Sequence, residues 1–142
     1  MTDTIIQHIL ATCRTVAVVG LSPKPHRDSF HVAQYMQAQG WRIVPVNPVV
    51  AASGEKILGE VVYATLTDAA RVEKVDLVDV FRNSADVPPL MDEAIALKLP
   101  AVWLQLGVRH EGAVAKAQAA GMQVVQDHCL LVEHQRLGHQ QG

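Results

Sequence analysis

The sequence predicts an α/β protein: a single domain with a five-stranded parallel sheet and helices on both faces. Short, continuous runs of β-branched and other apolar residues, typical of strands buried on both faces, alternate with stretches of one-faced helical spacing. The connections between them are short, and no linker or low-complexity tract divides the 142 residues. We therefore expect one domain over residues 1–142, with its core at about residues 15–137.

The first strand, helix and turn follow from local patterns. Residues 3–13 predict an opening helix that lies against the sheet, because its apolar residues recur at helical spacing. Residues 15–20 (TVAVVG) predict a buried strand that ends at a glycine. After a loop, Ser29 is placed to cap a helix over residues 29–39, and Gly40 suits the left-handed residue that follows a helix.

The second strand is predicted over residues 42–46, and it contains a proline. Because Pro45 has no N–H to donate, it favours a sheet edge, a bulge or a strand end. Asn47 and Pro48 then end the strand, and the following residues up to 59 read as a loop.

The remaining elements repeat the alternation. Pro88 and Pro89 suit the first turn of a helix whose apolar residues continue to Ala94. In chain order we predict a strand at 76–81, that helix, a strand at 101–106, a helix at 111–120, a strand at 122–125, a helix at 129–137 and a loose tail at 139–142. This order is typical of a Rossmann-like domain.

Composition excludes several classes of protein. Hydrophobic residues make up 49% and charged residues 18%, so the chain can bury about two-thirds of its unfolded surface. Disorder, a coiled coil and a disulfide scaffold are excluded. The two cysteines, Cys13 and Cys129, lack a Cys-x-x-Cys spacing, and we expect both to be reduced, with Cys129 as a small buried residue.

Charge and hydropathy also limit the partners. The formal net charge is −2, so no overall basic field attracts a nucleic acid or an anionic membrane. The first residues lack the pattern of a signal peptide, and no apolar run reaches eighteen residues. We expect a cytoplasmic protein with no nucleic-acid or membrane partner; the sequence does not indicate a protein partner.

The sheet edge that should carry a ligand can be located from the sequence. In open α/β sheets, ligands bind beyond the carboxyl ends of the strands, beside the first strand where the strand order reverses. The corresponding loops contain five of the twelve Lys and Arg residues: Lys24, Arg27, Lys56, Arg82 and Arg109. A polyanionic ligand would explain this clustering, although charged residues favour exposed loops in proteins of many functions.

The loop after the first strand has the composition of an anion site. It places Gly20 at a strand end and then two hydroxyls, Ser22 and Ser29, before a helix N-terminus. Lys24 and Arg27 add positive charge. The alternative is a proline-rich surface turn in which Ser29 serves only as a helix cap.

Two absences bear on which nucleotide would bind. After Gly20 no glycine precedes Gly40, so the Gly-x-Gly-x-x-Gly fingerprint of dinucleotide sites is missing. The second predicted strand ends at Asn47 instead of the carboxylate that would hold an NAD ribose. With Lys56 nearby, this end would tolerate a phosphorylated ribose, as in NADP or coenzyme A.

Six segments of the chain resemble the small, stand-alone coenzyme A-binding domain proteins. This family is similar to the coenzyme A-binding domain at the start of the succinyl-coenzyme A synthetase alpha chain. The resemblance covers about residues 15–137 and implies a five-stranded, Rossmann-like sheet. The segments are VVGLSPKPHRDS at 18–29, VNP at 46–48, LGE at 58–60, DVFR at 79–82, WLQLGV at 103–108 and VQDHC at 125–129.

The resemblance implies coenzyme A or an acyl-coenzyme A as the ligand and assigns roles to residues. Gly20, Leu21 and Ser22 would line the pyrophosphate. Lys24, Arg27 and Ser29 would close over the phosphates. Asn47 and Pro48 would border the adenosine, Phe81 and Arg82 the opposite side of the ligand, and Gln105 and Gly107 the path of the pantetheine. His110 and His128 depart from the pattern and receive no binding role.

Three hypotheses of function remain open at this point. The leading hypothesis is non-catalytic binding of coenzyme A or an acyl-coenzyme A, as a sensor or carrier. The second is an NADP-dependent oxidoreductase or another nucleotide-using enzyme, for which His26, His110 and His128 would be candidate general bases. The third is a regulatory or assembly partner that responds to acyl-coenzyme A.

Metal binding is not expected. Cys129 and Glu133 share a helical face near His128, but four ligands with zinc-site spacing are missing. Trp41 and Trp103 lie at or within predicted strands, so we expect both indoles in the core and neither as a partner anchor.

Overall fold

The computed structural model describes residues 2–138. The predicted tail at 139–142 lies outside this range. Within it, five strands form one parallel sheet: β1 (Thr15–Val19), β2 (Arg42–Val46), β3 (Leu77–Val80), β4 (Ala101–Leu104) and β5 (Gln123–Val125). The predicted five-stranded parallel α/β fold is confirmed.

The strand order is β2-β1-β3-β4-β5, so the order reverses between β1 and β3. β1 pairs in register with β2 on one side, where Val18 is opposite Pro45, and with β3 on the other, where Val18 is opposite Asp79. Because β2 is an edge strand, the missing N–H of Pro45 costs the sheet little. Of the three positions that Pro45 favoured, the structure shows the sheet edge.

Seven α-helices and one short 3-10 turn surround the sheet within residues 2–138. They are α1 (Thr2–Thr12), α2 (Asp28–Ala38), α3 (Pro48–Ser53), α4 (Leu66–Val72), the 3-10 turn Ser84–Asp86, α5 (Val87–Ala96), α6 (Glu111–Ala119) and α7 (Leu130–Leu137). Pro88 and Pro89 lie in the first turn of α5, as expected. No helix in this part of the chain has both the length and the apolar character to cross a bilayer.

Side chains alternate between the two faces of the sheet, and each face has its own core. One face carries Val16, Val18 and Trp103, which pack with α1, α2 and α7. The opposite face carries Val80 and Leu104, which pack with α4, α5 and α6. Trp41 and Trp103 are buried as predicted. The opening helix adds the fully buried Ile6 and Ile9 to the first of these cores.

Two expectations about local structure are wrong, and one helix was not predicted. Residues 49–59 do not form a continuous loop: Pro48 opens the short helix α3, and the amide oxygen of Asn47 caps it. Helix α4 was not predicted at all. Ser29 does not cap α2, because the helix begins at Asp28 with Arg27 as its N-cap residue and has no side-chain cap.

Candidate functional site

Two adjoining clefts open at the carboxyl edge of the sheet. The first has a volume of about 640 Å³ and lies between the residues after β1, the start of α2 and the end of β2. The second has a volume of about 730 Å³ and lies between α2, the residues after β3 and β4, and the start of α7. Asp28 and Phe81 line both, so the two clefts adjoin across the reversal of strand order, and together we call them the groove.

Several predicted site residues converge on the first cleft. It is lined by Gly20, Ser22, Lys24, Arg27, Ser29, Asn47 and Phe81. Phe81, Arg82 and Gln105 line the second cleft. Leu21, Pro48, Lys56 and Gly107 line neither.

Gly20 is required by the geometry of the β1 turn. Its φ is +86°, and its N–H donates to the Val46 carbonyl oxygen at 2.9 Å. A Cβ at this position would lie 2.2 Å from the carbonyl oxygen of Phe81. The chain thus passes from β1 across the end of β3 with room only for a glycine.

Hydroxyl groups hold the loop that follows. The Ser22 N–H donates to the Ser29 Oγ at 3.0 Å, and the Lys24 N–H donates to the Ser22 Oγ at 3.1 Å. The Leu21 side chain is fully buried, so Leu21 anchors the loop and faces the core. Ser29 therefore ties the loop to α2 instead of capping the helix.

The N-terminus of α2 faces the first cleft without a side-chain cap. Arg27 has extended backbone angles and makes no capping hydrogen bond, so the first-turn N–H groups lack a side-chain acceptor. The partial positive charge of a helix N-terminus favours anions, and Lys24 and Arg27 line the same cleft. Asp28 in the first turn limits the net positive charge there.

Asn47 joins the end of β2 to the loop that follows β1 (residues 20–27, the β1 loop). Its Oδ1 accepts hydrogen bonds from the N–H groups of Val49 at 3.0 Å and Val50 at 3.2 Å, which caps α3. Its Nδ2 donates to the Leu21 carbonyl oxygen at 2.9 Å. One amide side chain thereby fixes two walls of the first cleft relative to each other.

A buried polar pair lies beneath the second cleft. The Gln105 Nε2 donates to the Asp79 Oδ1 at 2.6 Å, and both side chains are almost completely buried. Burial raises the pKa of the Asp79 carboxyl to about 7, and the hydrogen bond from Gln105 offsets part of that rise. Since Gln105 lines the cleft, Asp79 fixes the orientation of an amide at its floor.

Three of the five predicted cationic residues line a cleft, and the other two do not. Lys24 and Arg27 line the first cleft, and Arg82 lines the second, where its Nη2 lies 3.5 Å from the Asp86 carboxylate. Arg109 instead forms ion pairs with Glu111 at 2.8 Å and Asp127 at 3.3 Å. Lys56 is exposed and lines neither cleft, so its predicted contact with a ribose phosphate stays a prediction.

Asp127 holds the turn after β4. Its Oδ1 accepts from the Gly107 N–H at 2.7 Å, and its Oδ2 accepts from Arg109. The bond from the Gly107 N–H, together with Arg109, lowers the pKa of the Asp127 carboxyl. The backbone donor of Gly107 is therefore used within the protein, and Gly107 shapes the second cleft only through its turn, at a φ of +85°.

The three candidate general bases have different surroundings. His26 lines the first cleft. The His110 Nδ1 accepts from the Ala113 N–H at 3.0 Å and caps α6, and the His128 Nδ1 lies 2.7 Å from the Gln126 carbonyl oxygen. Neither His110 nor His128 lines a cleft. Within residues 2–138, no group of three or more His, Cys, Asp or Glu side chains is arranged to hold a metal ion.

One wall of the second cleft is formed by residues that the sequence did not predict as part of a site. Cys129, Leu131 and Val132, at the start of α7, line it beside Leu106 and Val108. Cys129 is half-buried, so its expected burial is wrong; it precedes α7, where the chain opens onto the cleft. The only local signal was the apolar Leu106 at the end of the predicted strand 101–106. The position of α7 depends on packing between distant segments, which a local pattern does not show.

The fold and its clefts define a class of protein. The chain is a single Rossmann-like α/β domain whose ligand-sized groove lies at the carboxyl edge of a parallel sheet. Residues 14–135 match the family described as CoA binding domain. The chain belongs to this coenzyme A-binding domain family, and the predicted resemblance is confirmed.

Relatives and solved structures agree with this assignment. The uncharacterized protein YneT of Bacillus subtilis (strain 168) is 34% identical over 129 residues, which is 91% of each chain. A solved Thermus thermophilus protein, cell-free ID.343, is 39% identical with a TM-score of 0.88, over 96% of this chain and 99% of that one. A hypothetical protein from Pyrococcus horikoshii OT3 is 34% identical with a TM-score of 0.86, over 96% and 92%.

Proposed function

We propose that this protein binds coenzyme A or an acyl-coenzyme A along the groove and performs no chemistry on it, acting as a sensor or carrier. The observation that carries the proposal is the first cleft. There the Gly20 turn, the uncapped start of α2 and the side chains of Lys24 and Arg27 meet at the reversal of strand order. Membership of the coenzyme A-binding domain family supports the same ligand.

The donors of the first cleft suit phosphate groups. Lys24 and Arg27 supply charge, and Ser22 and Asn47 supply short polar side chains beside them. The net charge of the chain is −2, so attraction of a polyanion depends on this local cluster. We assign the pyrophosphate to this cleft and the pantetheine arm to the path past Phe81 toward Gln105.

The non-catalytic part of the proposal rests on how the titratable groups are used. His110 caps a helix, and the ring of His128 bonds to the backbone, both outside the clefts. The Asp79 carboxyl is buried beneath Gln105. This leaves His26 as the one histidine of the three candidates that lines the first cleft.

The test is the affinity for coenzyme A of Arg27→Ala and Arg82→Ala, measured by isothermal titration. Loss of a hydrogen bond to a charged group costs about 1.5–3 kcal/mol, so we expect Arg27→Ala to bind at least about tenfold more weakly. Arg82→Ala should weaken binding less, because Asp86 already engages Arg82. Arg71→Ala, an exposed arginine on α4, is the matched control and should bind as the wild type does. Wild-type affinity in all three variants would refute the placement of the phosphates.

A further inference from the structure

We propose that the ligand is an acyl-coenzyme A with an uncharged aliphatic acyl chain, and that the second cleft holds this chain against the wall formed by Leu106, Val108, Leu131 and Val132. This inference rests on the proposed function, since the phosphates in the first cleft determine where the acyl group falls.

The two clefts adjoin, so one ligand can extend from the first into the second. Phe81 follows β3 and borders each of them. A ligand whose phosphates lie beside Lys24 and Arg27 can therefore extend past Phe81 over Gln105 without leaving the protein surface. The part of the ligand beyond that point meets the start of α7.

The wall at the start of α7 is apolar and exposed. Leu106 is 71% exposed and Val132 is 53% exposed, and both line this cleft. They are two of the five large hydrophobic side chains that are most exposed in residues 2–138. Exposed apolar side chains that share one concave surface favour an apolar ligand group.

The size of the second cleft exceeds what a narrow arm needs. Its volume of about 730 Å³ lies within the range of complete small-molecule sites. The first cleft, at about 640 Å³, is already large enough for a nucleotide. The groove therefore has room for a group attached beyond the thiol of coenzyme A.

The charges at the second cleft disfavour an acidic acyl group. Asp28 and Asp86 both line it, and Arg82, which pairs with Asp86, is its one Lys or Arg. His31 also lines this cleft; with histidine counted as neutral, two carboxylates against one guanidinium leave a negative formal balance. A terminal carboxylate, as in a succinyl group, would be repelled by this balance.

The test is a titration of the purified protein with coenzyme A, acetyl-, butyryl-, hexanoyl- and succinyl-coenzyme A in one buffer. Full burial of a methylene strengthens binding by up to about fourfold. We expect hexanoyl-coenzyme A to bind at least about tenfold more tightly than free coenzyme A, and succinyl-coenzyme A to bind more weakly than butyryl-coenzyme A.

A matched pair of variants locates the chain. Val132→Asn places a polar group in the apolar wall of the second cleft, and Val72→Asn makes the same change at an exposed site on α4. The ratio of hexanoyl-coenzyme A affinity to coenzyme A affinity should fall toward one in Val132→Asn and remain unchanged in Val72→Asn. Circular dichroism checks that both variants are folded.

The outcomes separate this inference from the proposed function. If coenzyme A binds and hexanoyl-coenzyme A binds no more tightly, the acyl site is wrong and the proposed function still stands. If hexanoyl-coenzyme A binds more tightly than coenzyme A and Val132→Asn does not reduce this difference in affinity, the placement of the acyl chain at α7 is wrong. No binding of any of the five compounds would overturn the proposed function itself.

Discussion

At the scale of single residues, Gly20 lies close against the carbonyl oxygen of Phe81, at the end of β3. A side chain there would adopt a left-handed conformation and also overlap the Phe81 carbonyl oxygen. The first effect costs about 1–2 kcal/mol and the overlap about 1–3 kcal/mol more. Gly20→Ala should therefore lower the free energy of unfolding by about 3 kcal/mol, measured by urea denaturation.

Gly121→Ala is the control for this prediction. Gly121 also has a left-handed φ, +90°, but a Cβ there would meet nothing within 4 Å. It should lose only about 1–2 kcal/mol, from the backbone conformation alone. Equal losses in the two variants would mean that the approach of Phe81 does not constrain this turn.

Asp79 makes the stability of the protein depend on pH. Its folded pKa of about 7 lies above the ordinary value of 3.8, so the folded state binds more protons than the unfolded state between these values. The stabilisation is complete below about pH 4 and is lost as the pH rises through about 7. Asp79→Asn should gain stability relative to the wild type by up to about 1.4 kcal/mol per pH unit in this window.

Urea unfolding of both proteins at pH 5, 6, 7 and 8 measures this difference. The amide that replaces the carboxyl in Asp79→Asn cannot ionise, so the stability difference between the two proteins should change across the window and level off above it. A constant difference at all four pH values would contradict a raised pKa for Asp79.

The site residues differ in how far the sequence could identify them. Gly20, Lys24 and Arg27 lie in the loop that follows an apolar strand, so their place at the sheet edge could be predicted from local pattern. The pairing of Asp79 with Gln105 could not, because it joins a residue of β3 to the residue that follows β4, 26 positions away. The burial expected for Cys129 was wrong because burial depends on how α7 packs, which its own spacing does not reveal.

At the scale of elements, the start of α3 connects local structure to the site. Asn47 caps α3 and also bonds to the β1 loop, whereas Thr65 caps α4 away from either cleft, accepting from the Asp68 N–H at 3.0 Å. Replacing either cap with Ala should cost about 1 kcal/mol of stability. Only Asn47→Ala should also weaken coenzyme A binding, by about two- to tenfold.

Thermal unfolding and isothermal titration of the two cap variants make this comparison. Thr65→Ala should retain wild-type affinity despite its similar loss of stability. If both variants lost affinity equally, Asn47 would affect the site only through general stability, and its role as a wall of the first cleft would be wrong.

The two unpredicted helices each had a local signal. Asn47 followed by Pro48 is a cap residue with proline at the first helical position, and Thr65 stands three residues before Asp68. The β-branched Val49 and Val50 opposed the first signal, and the few turns of each helix gave little periodicity. The helices of eight or more residues were all predicted, and in α1 and α5 the apolar residues recur at helical spacing over two or more turns.

At the scale of the whole molecule, the order of elements determined the fold more than any single residue. Five apolar strands separated by short connections leave few topologies other than a parallel sheet with helices on both faces. The carboxyl edge of that sheet follows from the topology, which is why the sequence could locate loops that border the groove. The second cleft required the packing of α7 against the sheet, so its apolar wall emerged only from the structure.

The central claim is that this groove binds coenzyme A, and isothermal titration with coenzyme A tests it most directly, with NADPH and dephospho-coenzyme A measured in the same buffer. We predict saturable binding of coenzyme A at micromolar concentrations and no heat with NADPH. Weaker binding of dephospho-coenzyme A would indicate that Lys56 or a neighbouring group contacts the 3′-phosphate. No binding of coenzyme A, or binding of NADPH in its place, would contradict the account.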